Sequence, residues 1–193
     1  MKKLNAFLTA MLFTGVMMAQ TSWTIDKEHS NIGFSVSHFL VSQTTGYFRD
    51  FDARIVSSAD DFSGATVTFT AKTASISTGN GQRDHHLQSD DFLNAEKYPE
   101  LKFAGILVKE NDRYLLKGSL TIRDITRPES FSVTYVGHVK DSTYHVDKVG
   151  FKVTGNISRS AYGLKWNETF QGGGPIVGDR VELILNIEIN RER

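Results

Sequence analysis

Asp26, His29 and Ser30 carry the residue types of a hydrolytic triad. They crowd into one short stretch, however, and no Gly-x-Ser-x-Gly elbow occurs anywhere to present a nucleophile. A triad is therefore rejected. His85 and His86 are adjacent, so on a helix they would point about 100° apart and could not share one metal ion as an i, i+4 pair does. No His-Glu-x-x-His is present, and the chain has no cysteine, which excludes thiolate zinc sites, iron–sulfur clusters, disulfides and a thiol nucleophile. Gly79-x-Gly81 lacks the third glycine and the crossover unit of a dinucleotide site. No cofactor and no metal are expected.

The remaining candidates suit binding better than bond making. His38 shares the parity of Ile32, Phe34 and Val36, so it is either an inward polar group that meets a ligand head or a histidine at a strand end bonded to backbone. Arg83-Asp84 and Arg159 are charges placed beside apolar runs, and such charges need partners. A buried Arg–Asp pair would serve as a structural clamp or as a ligand contact. Trp166 and Trp23 read as wall or plug residues.

The elements that position these groups are strands. From Trp23 onward, apolar residues recur with a period of two, which puts every second side chain on one face. Ile32, Phe34 and Val36 do so, as do Val67, Phe69 and Ala71, and Leu101, Phe103 and Leu107. The pattern returns in Leu116, Leu120 and Ile122, in Phe131, Val133 and Tyr135, in Val149, Phe151 and Val153, and in Val181 to Ile189. Turn chemistry at Asn111-Asp112, Thr126-Arg127-Pro128 and Lys140-Asp141-Ser142 separates neighbours into antiparallel hairpins. A short helix is expected near residues 83–95, where alternation lapses before Pro99, and Gly172-Gly173-Gly174-Pro175 marks a loop. The fold class is all-β: an antiparallel up-and-down β-barrel of about eight strands, since closure lets one-sided strands meet without exposing a greasy sheet.

The size of the inward residues decides between a filled core and a pocket. Gly105, Gly118, Gly137 and Gly155 share the parity of the apolar residues on four strands. They mark bulges and bends, or they vacate space; the two readings are compatible. Jointly they suggest an apolar tunnel lined by Phe34, Val36, Phe69, Phe103, Leu116, Phe131, Val133 and Phe151.

Composition narrows the setting. The chain of 193 residues has 22 basic and 22 acidic residues, 39% apolar content and only three prolines, as expected of one globular domain without a nucleic-acid footprint. Met1-Lys2-Lys3 followed by apolar Ala6 to Met18 reads as a secretory signal of residues 1–19, too short to span a bilayer, with a cut after Ala19. Residues 20–193 then form the domain, expected in the periplasm or outside the cell, with no stable membrane insertion.

Read in order, the residues resemble the YceI-like family of exported, lipid-binding and polyisoprenoid-binding proteins. The landmarks are Trp23-Thr-Ile-Asp26, His29-Ser30, Phe34-x-Val-x-His38, Gly46-x-Phe48, Thr78-Gly79, Arg83-Asp84-x-His86-Leu87 and Asp91-Phe92. Downstream come Tyr98-Pro99-x-Leu101-x-Phe103, Gly118-x-Leu120-Thr-Ile-Arg123, Thr126 and Ser158-Arg159-x-x-Tyr162-Gly163-Leu164-x-Trp166. The ordered set carries the resemblance; Asp124 and Ser160 depart from it, where glycine and an acidic residue are usual. The resemblance implies a lipocalin-like barrel whose tunnel holds a long-chain isoprenoid, quinone or fatty-acyl ligand, with no bond made or broken. His38, Arg83, Asp84, Arg159 and Trp166 would join the apolar set around that ligand. An enzyme acting on the head group of a bound amphiphile and a stress-related module without ligand are the rival readings, and a homodimer is left open.

Overall fold

The computed structural model describes residues 20–111, 113–171 and 173–192. The secretory signal assigned to residues 1–19 lies outside the described residues. The elements in chain order are β1 (Thr21–Ile25), β2 (Asn31–His38), β3 (Ser42–Phe48), β4 (Phe51–Ser57), β5 (Thr66–Lys72), β6 (Ile76–Ser77), α1 (Gly81–Gln88), β7 (Glu100–Glu110), β8 (Arg113–Ile122), β9 (Ile125–Asp141), β10 (Val146–Ser158) and β11 (Val177–Arg191). Among the described residues no helix is long and apolar enough to cross a membrane.

Three pairs of these strands are single barrel strands with a break. β1 and β2 both lie antiparallel on β11, through Ile25↔Ile189 and Asn31↔Asn186. β3 and β4 then pair with β2 and β1, and β6 and β5 with β3 and β4. With β7 to β11 following by hairpins, the sheet closes through β1–β11 into an eight-strand antiparallel up-and-down barrel, with one short α-helix among the described residues. Closure leaves the apolar faces no edge to expose.

The first break explains the hydrolytic residue types. Asp26 Oδ1 accepts from the backbone N–H groups of Glu28 and His29 at 3.1 and 3.2 Å, and pairs with His29 Nδ1 at 3.0 Å. Ser30 Oγ donates to Glu188 O at 3.2 Å and accepts from Glu188 N at 2.9 Å. The three side chains are thus bonded around a bulge between two strand segments, with Ser30 turned to the backbone of β11.

Two local expectations are corrected. Thr126, Arg127 and Pro128 lie inside β9, and the turn is Arg123-Asp124, closed by Ile122↔Ile125 with Arg123 at φ 57°. Pro128 is tolerated because it pairs with Ser119 on β8 while the pairing of β9 with β10 runs only from Ser132 to Asp141, so a missing N–H costs no ladder bond on that side. The helix spans Gly81–Gln88 rather than 83–95: Asn80 caps it by accepting from Arg83 N at 3.0 Å, and Ser89 ends it in extended conformation with its hydroxyl on His86 O at 2.8 Å.

The inward glycines seat aromatic rings. A Cβ on Gly118 would lie 2.6 Å from Gly105 Cα and 2.7 Å from Phe103 Cζ, and one on Gly155 would lie 2.5 Å from Phe131 Cδ1. The two phenylalanine rings, with centroids 5.9 Å apart, therefore occupy the room the glycines vacate. Gly137 is different. Nothing lies within 4 Å of its would-be Cβ, because the register shift between Phe151↔Tyr135 and Gly150↔Gly137 puts His138 rather than Gly137 opposite the buried Val149.

Candidate functional site: an apolar tunnel in the barrel

A cavity of about 270 Å³ runs inside the barrel, and nearly every side chain on its wall is apolar. Val181, Leu183, Leu185, Ile187 and Ile189, alternate residues of β11, line it from one end to the other. At about 3.3 Å per residue that stretch covers roughly 26 Å of strand. With the usual barrel tilt it covers about 20 Å along the axis. So small a volume within a lining of that length suits a slender chain better than a broad, compact ligand.

Phe34, Val36, Phe69, Phe103, Leu116, Phe131, Val133 and Phe151 all stand on the wall of this cavity. Period-two alternation found them because inward parity survives along the stretch of strand that carries each of them. It missed the two ends. Phe62, from the β4–β5 connection, is 3% exposed, lines one end and packs against Trp23 and Phe151 at 5.2 and 5.3 Å. Leu87, Phe92, Leu93 and Leu164 cover the other end. These residues sit on a helix and in turns, where no strand period marks a side chain as inward; only the hydrophobic character of Phe92-Leu93 between charged neighbours hinted at burial.

Among the described residues Arg159 is the one charged residue on the cavity wall, and it is 6% exposed. Its Nε donates to Gly178 O at 2.8 Å, Nη1 to Leu164 O and Trp166 O at 2.6 and 2.8 Å, and Nη2 to Val177 O at 3.1 Å. Burial pushes its pKa down, and the nearby Asp179 carboxylate opposes this. Asp179 itself accepts from Ser158 Oγ and Ser160 N at 2.6 and 2.9 Å, and among the described residues no carboxylate bonds directly to the guanidinium. Carbonyl dipoles satisfy the cation, and in return it ties the segment after β10 to the start of β11.

The other polar candidates stand off the wall. Asp84 Oδ1 accepts from Thr78 N and Thr78 Oγ1 at 2.8 and 2.5 Å, while Arg83 donates to Thr78 Oγ1 and Thr78 O at 2.8 and 3.0 Å. The pair thus acts through Thr78 as a clamp between helix and barrel. His38 closes β2 and sets its ring edge-on to Phe39 at 4.5 Å. Trp166 packs on His86 and Phe92 at 4.9 and 5.2 Å, behind the cover of the tunnel. His38, Arg83 and Asp84 do not meet at one point of the lumen. Outside the tunnel, Asp26, His29 and Glu188 cluster with metal-ligand types, but Lys148 Nζ already sits among them, 2.7 Å from Asp26 and 2.5 Å from Glu188.

The match to known proteins follows this architecture from end to end: residues 23–189 fit the YceI-like domain. The chain belongs to the YceI-like family. It is 34% identical over 170 residues to a UPF0312 protein of Staphylococcus aureus, covering 88% of this chain and 98% of that one. Among solved structures, a Campylobacter jejuni YCEI protein superposes with a TM-score of 0.69 at 29% identity, over 87% of this chain and 96% of that one. Burkholderia cenocepacia BcnA gives 0.72 at 20% identity, over 85% and 98%. A polyisoprenoid binding domain from Saccharophagus degradans gives 0.61 at 11% identity, over 88% and 98%. The last two share the fold alone. In this YceI-like chain the landmark Arg159 and the Thr78–Arg83–Asp84 group hold the covered end of the tunnel together.

Proposed function

We propose that this YceI-like protein is an exported carrier that holds one linear amphiphile, a polyisoprenoid, quinone tail or fatty-acyl chain, inside its barrel, in the periplasm or outside the cell. The observation that carries this reading is the size and lining of the tunnel: a small cavity, apolar from Ile189 to Val181, whose single charge among the described residues, Arg159, lies at one end. Each methylene moved from water into such a bore contributes up to about 0.8 kcal/mol, so a chain of a few isoprene units binds without any polar contact to its tail. The volume lies just under the range of roughly 300–1,000 Å³ typical of sites enclosing a drug-sized ligand, which favours a slender chain over fused rings. The barrel of the Saccharophagus protein, described as polyisoprenoid binding, has the same architecture and is consistent with this use. The polar groups that a head-group enzyme would need do not converge on the lumen, so the reading involves no bond made or broken.

The experiment is mass spectrometry of an organic extract of the protein taken from the cells that make it. A prenyl, quinone or acyl species at about one molecule per chain is the expected result. A protein that yields no such species, and takes none up after exposure to a lipid extract, is not a carrier.

A further inference from the structure

The end of the barrel that carries Arg159 also carries a run of exposed apolar side chains. Phe39, Leu40 and Val41 form the tip between β2 and β3, and Leu40 and Val41 are 66% and 86% exposed. Phe39 and Leu40 both have positive φ, 50° and 60°, so the turn accepts an unfavourable backbone for bulky residues in order to display them. Phe39 lies 5.7 Å from the ring of Phe170, and its N–H bonds Ile176 O at 2.9 Å. Val36 and Val177, on either side of this junction, line the tunnel. Apolar surface thus continues from the tip to the tunnel wall.

Charge separates this patch from the other exposed apolar cluster. Residues 31–48 and 169–178 contain no Asp, Glu, Lys or Arg, in a chain where 23% of residues are charged. Val136, Val139 and Tyr144, at the far end of β9, stand instead among Lys140, Asp141, Asp147 and Lys148, with His138 and Asp147 paired at 2.6 Å. A surface that enters the headgroup region loses hydration, and a tip without charged residues can do so without stranding an ion. The tip also offers three exposed apolar residues, where a stable protein interface takes about 20–30 residues a side.

We propose that the charge-free tip formed by Phe39, Leu40 and Val41 docks on a bilayer of uncharged or zwitterionic lipid, where the cargo of the tunnel is exchanged. This rests on the carrier reading for its purpose, but docking is measured without any cargo. The test is co-sedimentation with vesicles of phosphatidylcholine alone, using protein whose N-terminus is defined by intact mass, compared with a Leu40→Asp/Val41→Asp variant and a Val136→Asp/Val139→Asp control of the same N-terminus. The expected result is that the tip variant partitions at least tenfold less than wild type, with unchanged circular dichroism and thermal midpoint, while the control partitions like wild type. Equal partitioning of tip variant and wild type overturns the proposal, as does an equal loss in the control. Gel filtration covers the remaining occupant, a second copy paired along the edge of β3: a wild-type dimer that the tip substitutions convert to monomer also overturns it. If docking fails while the organic extract still yields a lipid, the carrier reading stands and only this inference falls.

Discussion

The Asp26 carboxylate accepts from Lys148 Nζ at 2.7 Å, pairs with His29 Nδ1 at 3.0 Å and receives the Asn190 amide at 3.3 Å. These bonds, Lys148 foremost, hold its pKa well below the usual carboxylate range, against the opposing effect of burial. A depressed folded-state pKa contributes stability that is fully present above the unfolded value of about 3.9 and is lost as pH falls toward the folded value. Asp26→Asn is therefore expected to cost about 1–3 kcal/mol at pH 7. The difference from wild type should shrink as pH is lowered below about 4, measured by urea unfolding across that range. A deficit independent of pH would mean that Asp26 acts through its backbone turn alone. At this scale the sequence identified Asp26, His29 and Ser30 as a group and excluded a triad, but not their work in a strand break, because their partners Lys148 and Glu188 lie more than a hundred residues away. Arg159 was legible as a buried charge; that four carbonyls rather than an aspartate satisfy it was not, since carbonyls leave no mark in a sequence.

Among the elements, β7 and β8 approach so closely at Gly105↔Gly118 that the ring of Phe103 fits over them. Gly118→Ala would press a methyl against Gly105 Cα and Phe103 Cζ, and such overpacking is expected to cost about 1–3 kcal/mol. Gly137→Ala meets nothing within 4 Å and should change stability by no more than about 0.5 kcal/mol. Thermal or urea unfolding of the two variants separates them; equal effects would contradict the role of Gly118 as a ring seat. The sequence placed all four glycines on one face because period two assumes an unbroken register, and the shift at Gly150/Phe151 breaks it. The same kind of limit applies at Pro128, where a proline that usually signals a turn sits harmlessly in β9 beyond the start of its pairing with β10.

For the whole molecule, strand alternation sufficed for an eight-strand closed barrel, because few other arrangements cover so many one-sided strands. The walls of the tunnel were legible for the same reason. Its covered ends were not, since Phe62, Leu87, Phe92 and Leu164 reach the lumen from turns and a helix whose placement depends on tertiary contacts. The barrel encloses an apolar cavity within its core, and a slender cavity of this kind should read the length of what it holds. The direct measurement is titration calorimetry of delipidated protein with a series of straight-chain fatty alcohols. The expected result is affinity that rises by up to about fourfold per added methylene and then levels off once the chain exceeds the tunnel. Affinity independent of chain length, or no binding at any length, would contradict the account.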